Sequence, residues 1–468
     1  MDATKGEKTV PVLYMEKSSI ESLTESDIKE IITENMSFGK FSELKNYYMG
    51  NHKSPYVRSR KDQTLNNRLV NNMAKYITDT AVGYFVGKPV IYSSNNNEFL
   101  EHLQDIFDYN DEQDHNTELA KMNSIYGNAF EMLYIDEEVK IRMARIEPPD
   151  LIMIYETGYS SPVAAIRLIH SKDKKGNSIL KAEFWNSSEV WYFQSINNGS
   201  LALIDLEEHF WGDIPFVEYI NNEERIGDFE GIISLIDAYN KVQSNTANLF
   251  EYNDEALLKI SKLGDVSTDD IREMKEKGAV ILDDGGDVDW LLKQIDDTSL
   301  ENFKNRLRED MHIFSNVPNM TDEAFGGNLS GVAVSYKLWG LEQICAIKER
   351  KFKKALQRRI ELITHILNLQ GGNYSYMDIE IQFRRNKPQN ILETAQVITM
   401  LAADLSRETR LKMLPTIDNV QDELDKLQAE KEDDLAGYGN NYSNLKDFAK
   451  AFDTSKNNEE VFLDEHEG

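Results

Sequence analysis

The stretch Val317–Gln343, VPNMTDEAFGGNLSGVAVSYKLWGLEQ, reads as a loop held between two long helical patterns. Pro318 ends the helix before it, Gly326 and Gly327 let the backbone bend sharply, and Ser330-Gly331 leads into the helix after it. Asp322 and Glu323 are its only charges before Lys337. The helix ahead of the loop is expected from Ser299 to Val317. It carries a Thr298–Glu301 capping box and an apolar stripe of Leu300, Phe303, Leu307, Met311 and Phe314. The helix after it is expected from Val332 to Leu369, on the order of 55 Å long, with Gly340 as the place to bend.

Further upstream, Phe229 to about Ala256 reads as another long helix. Its stripe is Phe229, Ile232, Ile233, Ile236, Tyr239, Val242, Leu249 and Phe250, with Thr246 completing the spacing. Between the two helices, residues 257–295 read as a small mixed unit: a short strand, a helix near Thr268–Lys277, and the turn DDGGDVD at Asp283–Asp289. Two amphipathic helices flank this unit, and their one-sided stripes need partners that a slim hairpin does not supply.

The rest is mixed α and β. Residues 1–24 are polar and expected to form a loose arm. Thr24-Glu25-Ser26-Asp27 supplies cap chemistry for a helix running to Tyr48. Asn66–Ser94 reads as a helix with Leu69, Met73, Ile77 and Val82 on one face, then a turn at Gly87-Lys88-Pro89 into a short strand. Glu98–Asn128 reads as further helix, and Ala129–Val217 as mostly strands, separated by clusters such as KDKKGNS and NNGS. A strand follows at Met377–Asn386, then short helices: one after Asn390, one from Ser406 to before Pro415, and one over Asn419–Glu430. From Lys431 the chain is polar and acidic and is expected to be disordered at least in part.

The length of 468 residues allows several domains, and 40% hydrophobic content excludes a wholly disordered chain. The net charge of -29 argues against a protein that wraps DNA or reads its sequence, because tight binding needs Lys and Arg to release counterions. It suits a conduit that lets DNA slide, and it suits plain solubility equally well. The lone Cys345 permits no disulfide within the chain, which fits a reducing cytoplasm. The N-terminus has no signal-peptide apolar core, and no run approaches a membrane span.

Recognisable catalytic motifs fail on inspection. Gly83–Pro89, GYFVGKP, has three residues between its glycines rather than four, and Pro89 stands where a P-loop needs Ser or Thr. Asp283–Asp289 lacks the alternating carboxylates and distal Glu of an EF-hand. The scattered His residues make no zinc signature, and in Gly327–Gly331 the Ser is displaced by one from a nucleophile elbow. No cofactor, metal or catalytic residue is expected. The one dense basic run, Ile347–Arg359, contains Lys348, Lys351, Lys354 and Arg358. Helical spacing spreads these cations round the axis. They form either a basic ring near DNA in an assembly or salt bridges to a neighbouring subunit, and the acidic excess favours the second.

Several separated stretches resemble, in order, the portal proteins of tailed bacteriophages of the siphophage type from Gram-positive hosts. They are NNRLVNNMAKYITDTAVGYFVGKPVIY, IEPPDLIMIYE with the strands after it, IPFVEYINNEERIGDFEGIISLIDAYNKVQSNTANLFEYNDEALLKI, the loop that opens this section, and IQFRRNKPQNILETAQVITMLAADLSRETRLKMLP. The resemblance implies an α+β portal fold: a mixed α/β wing, a two-helix stem, a small α/β clip, a long bent helix and a helical crown, assembling as a ring. Residues 25–225 with the strand at 372–388 would be the wing, 226–256 and 296–318 the stem helices, and 257–295 the clip. The tunnel loop would be 319–335, the long bent helix 336–371, the crown 389–432 and the acidic tail 433–468.

The implied function is the ring channel at the capsid vertex, through which a terminase motor packages double-stranded DNA without sequence specificity and from which DNA is later ejected. The implied partners are a dodecameric ring of the same chain, the terminase large subunit, major capsid and scaffolding proteins, and a head-completion adaptor, with no membrane. Assembly would occur in the host cytoplasm, and the ring would reside in the virion. DNA would face Asn319, Thr321, Asp322, Glu323, Gly326, Gly327, Asn328, Ser330 and Ser335. Asp265, Asp269, Asp283, Asp284 and Asp287 would lie on the clip where terminase and adaptor dock. The alternatives are a non-channel capsid protein, or a hydrolase or nuclease that uses scattered carboxylates.

Overall fold

In the computed structural model, residues 12–35, 39–52, 67–158, 161–197, 199–254, 257–261, 287–291, 297–320, 331–387, 391–414, 420–421 and 423–431 are described, with single positions 269, 272 and 417. The chain divides into two compact units, Met1–Asn386 and Lys387–Gly468.

The larger unit begins with a strand, β1 (Val12–Met15), and a short helix, α1 (Lys17–Glu21). The expectation of a loose arm is therefore overturned for these residues. The reason is strand addition: β1 pairs in parallel with β5 (Leu151–Glu156), from Val12 opposite Met153 to Met15 opposite Glu156. Helices α2 (Glu25–Asn35) and α3 (Gly39–Met49) follow. The α2 cap matches its sequence cue, since Asp27 Oδ2 accepts from the Thr24 N–H at 2.8 Å and from the Thr24 hydroxyl at 2.7 Å.

Helix α4 (Met73–Val86) is shorter than expected, and Leu69 lies outside it. Asn72 is its N-cap, accepting from the Lys75 N–H at 3.1 Å. Residues 67–72 are non-helical, and the alternate N–H groups of Asn67, Leu69 and Asn71 are taken by side chains of another helix, described below. The turn after Val86 leads directly into β2 (Ile91–Ser94).

Helices α5 (Asn97–Tyr109) and α6 (Glu112–Tyr126) replace the single helix expected to Asn128. Asp111, at φ 48°, breaks the run. On α5 the buried residues Phe99, Leu103 and Phe107 recur every four positions.

Among the described residues two sheets form the β region. One has the order β10 (Phe216–Ile220), β3 (Asn128–Ile135), β4 (Ile141–Ile146). The other runs β1, β5, β6 (Pro162–Lys172), β7 (Ser178–Trp185), β8 (Glu189–Ile196), β9 (Ala202–Glu208). Alternation assigns their faces. Phe130 and Met132 of β3 pack with Leu151 and Met153 of β5, while Leu133, Ile152 and Ile154 join the large helical core.

Helix α7 (Ile233–Asp254) is followed by the antiparallel pair β11 (Leu257–Ser261) and β12 (Asp287–Leu291). Helix α8 is Asp297–Ser315, so Thr298 and Glu301 lie inside it rather than at its cap, and Glu301 instead takes Lys304 at 2.7 Å. The next helical run is broken: α9 (Gly331–Lys337) ends before Leu338, and α10 (Trp339–Leu369) continues for about 46 Å. The break precedes Gly340, whose role is clearance. A Cβ there would lie 3.2 Å from Asn316 Oδ1. The last strand, β13 (Ile379–Gln382), is shorter than expected and pairs antiparallel with β2.

The smaller unit contains α11 (Ile391–Met400) and α12 (Arg407–Met413), the latter capped by Ser406, which accepts from the Thr409 N–H at 3.2 Å. Residues 420–421 and 423–431 are helical. The acidic tail at 433–468 lies outside the described residues.

Gly127 joins α6 to β3 at φ +87°, and a Cβ on it would lie 2.1 Å from the Arg225 carbonyl oxygen. Gly127→Ala is expected to destabilise the chain by more than the about 1–2 kcal/mol of a left-handed L-residue, because backbone must also move. Chemical unfolding should show a clearly lowered midpoint; an unchanged midpoint would contradict this packing.

Candidate functional site

The α7–α8 pair is built differently from an ordinary amphipathic hairpin. At its base, Phe229, Ile232 and Ile236 are buried, as the apolar stripe anticipates. One turn later the buried positions become polar: Asn240 and Ser244 are 4% and 3% exposed. The stripe residues Tyr239, Val242 and Leu249 are half-buried, and Phe250 at the far end is 57% exposed. On α8, Leu307 and Met311 are buried, but Phe303 and Phe314 are exposed, as is Ile313. Among the described residues of the pair, Phe250, Phe303, Ile313 and Phe314 thus form exposed apolar positions.

At the end of α8 the chain leaves the helix through Asn316 in the left-handed region at φ 56°, with Pro318 two residues on. Asn is one of the residues that tolerates this conformation at a helix end. Val317 is buried as a plug. Asn319 lies just beyond it and makes interactions within the chain, as does Ser335 in α9. The other expected DNA-facing residues, Thr321, Asp322, Glu323, Gly326, Gly327, Asn328 and Ser330, lie outside the described residues. So do Asp265, Asp283 and Asp284. Asp269 is exposed, and Asp287 begins β12.

The basic run is largely satisfied inside its own chain. Lys348 is 4% exposed and contacts Asp228 together with the Ser124 hydroxyl, the latter at 3.0 Å. Lys351 pairs with Glu223. Arg358 reaches Asp213 at 2.5 Å and Glu361 at 2.8 Å. Lys354 is exposed. The choice between a basic ring and bridges to a neighbour therefore does not apply to Lys348: burial beside Asp228 fixes it within the chain.

Arg359, the last residue of that run, is fully buried. Its Nε donates to Glu131 Oε2 at 2.9 Å and its Nη1 to Glu112 Oε1 at 2.8 Å. Glu131 also meets His115 Nε2 and the Tyr219 hydroxyl, each at 2.8 Å, and Glu112 accepts from the Tyr92 hydroxyl. Burial alone would raise the Glu131 carboxyl, but Arg359 and His115 hold it down to about 2. No local motif announces this cluster. The hint was a Glu at the second position of a β run that is otherwise apolar, FEMLYI.

Among the described residues, no group of three or more His, Cys, Asp and Glu side chains could hold a metal ion. Burial pushes the Cys345 thiol up to about 11, so it is protonated near neutral pH. An open hollow of about 470 Å³ between β2, α10 and β13 is lined by Ser93, Lys353, Gln357, Asp378 and Glu380, among others. No described helix is long and apolar enough to cross a membrane.

Residues 29–436 match the family described as "Phage portal protein, SPP1 Gp6-like". The portal protein of Bacillus phage SPP1 is 23% identical over 388 residues, covering 79% of this chain and 77% of that protein. The portal protein of Clostridium phage phiCD119 is 24% identical over 420 residues, covering 83% and 92%. Among solved structures, a chain from the neck of an empty GTA particle computed with C6 symmetry aligns with a TM-score of 0.47 and 15% identity, over 74% of this chain and 90% of that one.

Arg359→Met should destabilise the protein by about 3–5 kcal/mol, because two buried carboxylates lose their cation. Adding Glu131→Gln and Glu112→Gln should recover part of the loss in urea unfolding, and an unaltered midpoint for Arg359→Met would refute the structural role. Acid provides an independent check. Glu131 titrates lower in the folded chain than its ordinary 4.5, so its contribution is complete above that pH and is lost as pH falls towards 2. Unfolding free energy should decline over that window, and less steeply in Glu131→Gln.

Proposed function

The chain belongs to the SPP1 Gp6-like phage portal protein family, and on that footing we propose that it forms the ring channel at the capsid vertex through which double-stranded DNA is packaged and later ejected. Portal proteins form ring oligomers and are virion components at the capsid. The role is structural and mechanical, with ATP hydrolysis left to a terminase partner.

The observation that supports the reading most is the outward apolar surface on the two long helices: Phe250, Phe303, Ile313 and Phe314 are exposed in the single chain. A heterologous ring covers such a surface by placing the next subunit against it. In this reading 226–256 and 296–318 form the stem and 257–295 the clip, with Asp269 and Asp287 among its docking residues. Residues 25–225 with 372–388 form the wing, 336–371 the long helix, and 389–432 the crown. The segment 319–335 is the loop that meets DNA. It carries no basic residue, so it touches phosphates loosely and lets DNA slide, while Asp322 and Glu323 repel DNA towards the axis. The ring is dodecameric, and its partners are the terminase large subunit, the capsid and scaffolding proteins and a head-completion adaptor.

Negative-stain images and light scattering of the purified chain should give closed rings; a monomer at every concentration and salt would refute the assembly. Rings of Gly326→Pro with Gly327→Pro should assemble but fail to package DNA. Asp322→Lys with Glu323→Lys should bind DNA with a steeper salt dependence. Wild-type packaging rates in both variants would show that the loop does not touch DNA.

A further inference from the structure

Residues 67–71 run along one face of α7 in an unusual way. The N–H groups of Asn67, Leu69 and Asn71 donate to Asn248 Oδ1 at 2.8 Å, Ser244 Oγ at 3.0 Å and Asn240 Oδ1 at 2.8 Å. The spacing explains the fit. Alternate N–H groups of an extended chain lie about 6.6 Å apart, and helix positions four apart rise about 6 Å. The segment therefore runs antiparallel to α7 as a strap, with helix side chains standing in for a neighbouring strand.

The strap ends where α4 begins. Asn72 caps α4, and its Nδ2 donates to the Tyr48 carbonyl at 2.9 Å. One turn into α4 is Tyr76. Its hydroxyl donates to the Pro318 carbonyl at 3.2 Å and accepts from the Met320 N–H at 2.8 Å. Its ring meets His312 edge-on, with centroids 5.8 Å apart and planes at 85°. His312 Nδ1 in turn donates to the Val317 carbonyl at 2.8 Å. The backbone at 317, 318 and 320, where the chain leaves α8, is thus gripped by side chains of α4 and α8.

We propose that Tyr76 is a positioning residue for the segment leaving the second long helix, and that the strap makes this position depend on the first, α7. The linkage runs from the Asn240–Ser244–Asn248 ladder through the strap and the Asn72 cap to Tyr76 and Met320. It gives movement of α7 a route to residues 317–320 that does not pass through the tip at β11 and β12. That these residues are the foot of a DNA-contacting loop rests on the channel reading; the linkage itself does not.

Hydrogen exchange with single-residue readout on the full-length protein tests it. Tyr76→Phe keeps the ring and removes the hydroxyl, and should speed exchange at the Met320 amide about tenfold with the unfolding midpoint little altered. Ser244→Ala with Asn248→Ala should expose the Asn67 and Leu69 amides. It should also speed Met320 about threefold, although neither substituted residue touches residues 317–320. Unchanged Met320 exchange in Tyr76→Phe would overturn the clamp. Freed Asn67 and Leu69 with an unchanged Met320 would overturn the coupling. If the double variant does not fold, the wild-type protein decides: Leu69 and Met320 should open with the same urea dependence, and different dependences refute the linkage. Rings of Tyr76→Phe with a freed Met320 that still package DNA at the wild-type rate would support the clamp and count against the loop's role in DNA passage.

Discussion

The guanidinium of Arg359, sealed between Glu131 and Glu112, is the contact on which the larger unit depends. It joins a long helix to the centre of a sheet and to a second helix, and Tyr219 brings in a further strand through Glu131. Buried ion pairs add little net stability over well-packed apolar groups. Their effect lies in what they forbid. An alternative packing of α10 on β3 would leave a charge stranded in the core, so Arg359 fixes the rotation and register of the long helix.

That registration propagates. With α10 fixed, Lys348, three turns towards its start, meets Asp228 and Ser124. Asp228 lies at the entry to α7, and its N–H also binds the Ser124 carbonyl at 2.8 Å. The base of the first long helix is therefore tied to α6 and to α10 by charge and backbone together. Beyond that base the fully buried positions of α7 are the polar Asn240, Ser244 and Thr246, while Tyr239, Val242 and Leu249 are half-buried and Phe250 is exposed. A helix normally buries its apolar stripe. On α7 that rule holds only at the base.

Much of the local structure could be read directly. Thr24 and Asp27 marked a helix start, Ser406 another, and the KDKKGNS turn holds two N–H groups on Asp173. These features use partners within four residues, so the sequence contains both halves of each interaction. The non-helical course of 67–72 was not legible. Its residues have helical spacing, but the acceptors that capture their N–H groups lie on α7, as with Leu69 and Ser244, 175 residues apart. The break at Leu338 was equally hidden, since Gly340 is the obvious weak point and serves instead to admit Asn316.

The sequence by itself determined most of the element order from residue 25 on, the two long amphipathic helices flanking a small unit, and the family, because these rest on periodicity, caps and the order of motifs along the chain; the strand Val12–Met15 and the helix Lys17–Glu21 were not among them. Tertiary structure decided which charges are sealed in the core and which are free. Lys348 and Arg359 sit in the same basic run as Lys354, yet two are buried and one is exposed. A helix distributes neighbouring residues round its axis, and only the elements packed against each face determine whether a cation meets water or a carboxylate.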